Sequence, residues 1–242
     1  MKKRTVIFTG GSGLLGTAFR KIAPDFLYPD EGEFDVTNFA QMEKYVQAHG
    51  CDQVIHAGAF TSPPLVDKDP LKALEVNIVG TANVVKLCMK FGARLMYICT
   101  DYVFQGDKGG YSETDPVLPV NKYAWSKLGG ECAARLYDRA LIVRTTFGPD
   151  CFPYDRAFRD QWTSREPVSV TAGKLAALAA TDVCGVVHVG GERRTVLEYA
   201  RSLDRSRAIG ELSVKDVPFK VPVDTSLNCA RYHNLFQPEP GE

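Results

Sequence analysis

No charge of one sign dominates this chain. Lysine and arginine together number 29, aspartate and glutamate number 29, and the formal net charge is zero. Nothing therefore supplies a broad positive field, which argues against a protein built to hold nucleic acid or an anionic membrane surface. Long hydrophobic runs are missing too. No segment approaches the ~20 apolar residues of a membrane span. The start, MKKRTVIFTGG, is basic and then only briefly apolar, without the core and cleavage site of a signal peptide. Paired cysteines are also absent. Cys51, Cys88, Cys99, Cys132, Cys151, Cys184 and Cys229 form no C-x-x-C pair, and their number is odd. That pattern belongs to free thiols in a reducing compartment and argues against a disulfide frame or a zinc site. There is no internal repeat and no low-complexity linker. The expectation is a cytoplasmic protein without a metal.

What is present is an alternation of short apolar strands and helices. The 242 residues are 45% hydrophobic and 24% charged, enough for one large α/β domain or one domain with a smaller lobe. Strands are expected at 5–9 (TVIFT), Gln53–His56, 94–99 (RLMYIC), 140–143 (ALIV) and 184–189 (CGVVHV). Helices are expected at 14–23 (LLGTAFRKIA), Phe39–His49, 70–91, 122–136, 152–162 and 195–203, the last with Thr195 as cap. The tail from Pro218 reads as loop. Apolar strands separated by helices indicate a Rossmann-type, doubly wound parallel sheet covered on both faces. The chain divides into a dinucleotide-binding domain at 1–148 and a small, partly interleaved lobe at 149–242.

Two motifs carry chemistry. Gly10, Gly13 and Gly16 form G-x-x-G-x-x-G between an expected strand and an expected helix. Glycines permit a tight turn and a close backbone approach to a pyrophosphate, and the helix start offers free N–H groups. Tyr123 and Lys127 are four residues apart on an expected helix, so both project from one face. A phenol beside an ammonium eases proton transfer, because a nearby cation favours the phenolate. His56 and His188 end apolar strands and read as structural.

The T-G-x-x-G-x-x-G spacing resembles the extended short-chain dehydrogenase/reductases. HAGAFTS at 56–62 is similar to their loop beneath the nicotinamide. CTDYVFQG at 99–106 and PVNKYAWSKLGGE at 119–131 resemble blocks of the dTDP-4-dehydrorhamnose reductase family. The resemblance covers about the first 148 residues well and the tail loosely. It implies an NADH- or NADPH-dependent reductase of a nucleotide-linked 4-keto-6-deoxy sugar. Tyr123 would then be the general acid, Lys127 would hold the nicotinamide ribose and lower the phenol pKa, and Thr100 would orient the carbonyl. Gly10, Ser12, Gly13, Leu14, Leu15, Gly16, Asp35, Val36, Ala57, Gly58, Ala59, Thr61 and Asn77, with Tyr123 and Lys127, would bind the cofactor. Thr100, Asp101, Tyr102, Val103 and Phe147 would face the sugar nucleotide.

The sequence departs from the family in the tail. The family's segment of the form D-Q-x-x-S-P-T has no good match, Asp160-Gln161-Trp162 being a poor substitute, so the substrate lobe reads as pared down. No clear Arg or Lys marks a 2′-phosphate site. Alternatives are a sugar-nucleotide epimerase or dehydratase, and a noncatalytic NADP-binding regulatory subunit. A homodimer through the helices at 70–91 and 122–136 is the expected assembly.

Overall fold

The computed structural model describes residues 4–237. Five parallel strands make the central sheet: β1 (Val6–Thr9), β2 (Gln53–His56), β3 (Arg94–Thr100), β4 (Ala140–Thr145) and β5 (Gly185–Val189), in that spatial order. Phe8, Ile55, Met96 and Leu141 stand in register across it. Their side chains share one face and pack with Phe19 and Leu175. Their neighbours Ile7, Val54, Leu95 and Ala140 turn to the opposite face, against Met42, Val46 and Val84. Strand alternation thus makes two cores, one on each side of the sheet.

The connections place the crevice. The chain leaves β1 through α1 (Leu14–Ile22) and returns along β1's outer edge, where Leu27 bridges Ile7. It then leaves through α2 (Phe39–His49) and enters β2 on the other side of β1. Departure from β1 in both directions opens a crevice past the carboxyl ends of β1 and β2, where open α/β sheets bind ligands.

Local chemistry sets the helix ends. Asn38 accepts a hydrogen bond from Gln41 N–H to start α2, and Gly50, at φ +75°, ends it. The expected long helix at 70–91 is helical throughout but not uniform. Pro70–Ala73 runs into a wider π-helical stretch, Leu74–Gly80, and then α3 (Thr81–Phe91). Asn121 caps α4 (Lys122–Ala134) through Ala124 N–H. Thr195 and Glu198 form a capping box ahead of α6 (Val196–Leu203), as the sequence leads one to expect.

Two expectations fail in the second half. Residues 152–162 are not a helix. Arg156–Phe158 pairs with Gly210–Leu212, and Trp162–Thr163 pairs with Arg194–Thr195. Ala157 is drawn into a small core with Phe152, Leu197 and Tyr199, so tertiary pairing overrides local propensity. Conversely, α5 (Val168–Ala179) is a helix where the sequence reading placed none. It buries Val168, Thr171, Ala172, Leu175, Leu178 and Ala179 at helical spacing and lies beside α1 on the sheet. The tail is loop with one short helix, Ala230–Leu235, and its end lies outside the described residues. No described helix is long and apolar enough to cross a membrane. All seven cysteines are free thiols.

Candidate active site

The glycine turn is built by close backbone packing. Gly10 has φ +75°, and a Cβ there would lie 2.8 Å from Gly58 Cα in the loop after β2. A Cβ at Gly16 would lie 2.5 Å from Gly10 O, so only glycine lets α1 sit on the turn. No side chain caps α1, and its first-turn N–H groups remain donors for an anion. Thr9 Oγ1 accepts from Gly58 N–H (3.1 Å) and bonds His56 Nδ1 (2.7 Å), while His56 Nε2 bonds Thr81 Oγ1 (3.0 Å). Burial first, and the Lys127 charge second, hold His56 down to about 3. His56 is therefore a neutral strut between loop and helix, the structural role expected of it. His188 is also buried and held down to about 4, chiefly by burial.

Two cavities meet at this turn. The larger, of about 510 Å³, brings together Ser12, Thr100, Asp101, Tyr123, Lys127 and Phe147. The two ends of the Tyr-x-x-x-Lys spacing thus do open onto one space. Desolvation raises the Tyr123 phenol above its usual range, and nearby Cys99 and Asp101 raise it further. The Thr100 hydroxyl draws it down. Burial dominates, and Tyr123 keeps its proton at neutral pH. Lys127 Nζ lies 4.5 Å over the Tyr97 ring, and burial lowers it to about 8.

Asp101 is buried and pushed up to about 6 by desolvation. Its carboxyl accepts from Thr225 Oγ1 (2.6 Å) and Thr100 Oγ1 (3.2 Å). Tyr102 OH accepts from Gln161 Nε2 (2.8 Å). Behind the site, the Glu131 carboxylate takes Arg144 Nη2 (2.7 Å) and Nε (3.1 Å), and Tyr97 OH donates to Lys127 O (2.9 Å). These bonds pin α4 to β3 and β4, and so hold Tyr123 and Lys127 in place.

The smaller cavity, of about 370 Å³, shares Gly10, Ser12, Gly58 and Ala59 with the first and extends past Tyr28 to Asp35 and Val36. A two-lobed cleft around uncapped N–H groups fits a dinucleotide, with the pyrophosphate at the turn.

Most expected residues line this cleft, among them Gly13, Leu14, Leu15, Ala57 and Thr61. Three do not. Gly16 lies beneath the turn as packing. Val103 is fully buried in the core. Asn77 is 1% exposed, and its amide is used within the protein. It accepts from Phe60 N–H (2.7 Å) and donates to Phe60 O (2.9 Å) and Ser126 Oγ (2.8 Å). Asn77 therefore ties the 57–62 loop to α4 from behind the cofactor wall.

Sequence reasoning missed Gln161 and Arg165. Gln161 belongs to the run judged a poor substitute, yet it is buried and reaches the site through Tyr102. Arg165 lines the larger cavity because Phe147 pairs with Glu166, and its stem lies 3.4 Å from where a Gly148 Cβ would stand. No local motif announces it. Ser62, at φ +77°, also lines the cavity in a strained conformation just before Pro63.

Sheet, glycine turn and Tyr–Lys helix together define a Rossmann-type protein of the short-chain dehydrogenase/reductase class. The model for the RmlD substrate binding domain matches residues 4–174, and the chain belongs to that family. A dTDP-4-dehydrorhamnose reductase of Mycobacterium tuberculosis (strain CDC 1551 / Oshkosh) is 34% identical over 218 residues, spanning 79% of this chain and 71% of the relative. A methionine adenosyltransferase 2 subunit beta of Bos taurus is 30% identical, spanning 96% of this chain and 82% of the relative. The crystal structure of dTDP-4-dehydrorhamnose reductase from Bacillus anthracis str. Ames, in complex with NADP, superposes with a TM-score of 0.87 at 26% identity. That match covers 98% of this chain and 93% of the other.

Proposed function

We propose that this chain reduces the keto group of a nucleotide-linked 4-keto-6-deoxy sugar with NADH or NADPH, in the manner of dTDP-4-dehydrorhamnose reductases. The observation that carries this reading is the single cavity holding Thr100, Asp101, Tyr123 and Lys127 beside the glycine turn. The nicotinamide cofactor, when bound, supplies the hydride. Tyr123 gives its Oη proton to the carbonyl oxygen, and Thr100 Oγ1 hydrogen-bonds that oxygen and orients it. Lys127 holds the nicotinamide ribose. The Gln161 bond fixes Tyr102 at the sugar, and Arg165 offers the diphosphate a cation. The parts of 149–242 outside α5 and β5, which belong to the sheet and its cover, act as the substrate lobe. The free thiols fit a reducing, cytoplasmic setting.

The test is absorbance at 340 nm with dTDP-4-dehydrorhamnose and each reduced cofactor. Loss of absorbance with the sugar nucleotide present is expected. Cofactor binding with no consumption on any 4-keto sugar nucleotide would overturn the reductase reading. That result would favour a noncatalytic subunit or a sugar-nucleotide epimerase, which consumes no net cofactor.

The assembly we propose is a homodimer through the helical runs at 70–91 and 122–134. Leu71 (65% exposed) and Trp125 (51%) carry apolar surface there.

A further inference from the structure

The smaller cavity bears on which nicotinamide cofactor is taken. Its walls include Gly11 and Ser12 of the glycine turn and Tyr28, Asp30 and Glu31 after Leu27. Leu27 runs beside β1: Phe8 N–H donates to Leu27 O (2.8 Å), and Leu27 N–H donates to Val6 O (2.8 Å). Asp30 thus stands just past the edge of the sheet, about twenty residues after Gly10, facing the turn. In this architecture the adenosine ribose lies between those two segments. A carboxylate there accepts from ribose hydroxyls but repels a 2′-phosphate, which adds roughly two negative charges at the same place.

The charges on the wall sharpen the choice. Acidic residues number three, Asp30, Glu31 and Asp35, and cations two, Arg20 and Lys72. Arg20 has other work. Arg20 Nε donates to Gly11 O (3.3 Å) and Nη2 to Tyr28 O (3.3 Å), and its guanidinium stacks 4.4 Å over the Tyr28 ring. It braces the turn against the segment after Leu27. Lys72 lies 5.2 Å over the Phe60 ring. Asp35 is engaged by Thr37 N–H and Oγ1, both at 2.8 Å. Asp30 accepts one bond, from Glu33 N–H to Oδ1 (3.0 Å), which fixes the turn and leaves Oδ2 for a ligand.

We propose that Asp30, seconded by Glu31, reads the adenosine ribose hydroxyls and makes this chain an NADH-preferring member of its family. The inference rests on the cofactor reading above, and it separates this chain from the relative crystallised with NADP.

Calorimetric titration of the purified chain with NADH and with NADPH, without substrate, tests it. NADH should bind at least tenfold more tightly. Asp30→Ser should bring the two affinities together by weakening NADH and strengthening NADPH. Asp30→Ser with Glu31→Arg should reverse the order. Asp30 is exposed, and circular dichroism of each variant checks that the fold is kept. Equal or tighter NADPH binding by the native chain would overturn the proposal, as would an unchanged ratio in Asp30→Ser. Loss of the NADPH affinity in Arg20→Ala would then identify the guanidinium as the phosphate's partner. If neither cofactor binds, the cofactor reading itself fails, a different result from a wrong preference.

Discussion

Tyr123 keeps its proton because burial leaves its phenolate poorly solvated, and Cys99 and Asp101 disfavour it further. The residue is poised to donate. Its neighbour Asp101 offers a test by pH. Its folded pKa, about 6, lies above the ordinary 3.8. Between those values the folded chain holds a proton that the unfolded chain has lost, so stability falls as pH rises through that window. Above it the full cost of a buried carboxylate is present. Asp101→Asn should therefore stabilise the protein at pH 7, by on the order of 2–3 kcal/mol. The gain should vanish below pH 4, as urea unfolding at both values would show. Lys127 carries the opposite sign. Its folded pKa, about 8, lies below the ordinary 10.5, so its burial costs stability at neutral pH and the cost fades as pH rises from 8 towards 10.5. Lys127→Ala should weaken cofactor binding about tenfold or more and lower turnover as well, measured by titration and steady-state rates.

At the scale of elements, α4 is held by its far face. Glu131 is fully buried, with Arg144 (1% exposed) and Arg135 on its carboxylate. Glu131→Gln leaves the Arg144 charge short of its partner, and the loss should be about 3–5 kcal/mol in urea unfolding. The α1 junction is equally specific. Gly16→Ala sets a methyl 2.5 Å from Gly10 O and Gly11 Cα, so the turn must shift, and cofactor affinity should fall with it. These elements were legible in the sequence because their signals are local. The spacing of Tyr123 and Lys127 needs only a helix, and G-x-x-G-x-x-G needs only a strand before and a helix after. Residues 152–162 were misread because their strands exist only through partners at 194–195 and 210–212. The helix at 168–179 shows helical spacing of its buried residues, but Gly173 and the flanking β-branched residues obscured it.

At the scale of the molecule, the parallel sheet covered on both faces and the glycine turn of the cleft were legible, and the substrate side was not. Arg165 and Gln161 reach the cavity from segments joined to it by long-range pairing, which no motif records. The same limit applies to assembly, since an exposed Trp125 shows only that apolar surface is available. If the α4 face is the dimer seam, the native chain should sediment as a dimer and Trp125→Arg as a monomer that still binds cofactor. The central claim is that Tyr123 is the proton donor of a carbonyl reductase. Its most direct measurement sets native chain and Tyr123→Phe side by side, following NAD(P)H absorbance at 340 nm with dTDP-4-dehydrorhamnose and cofactor affinity by titration. Tyr123→Phe should lose rate by at least ~10²-fold with affinity nearly unchanged, since the ring stays and only the proton goes. A variant that turns over like the native chain, or that loses binding and rate together, would contradict it.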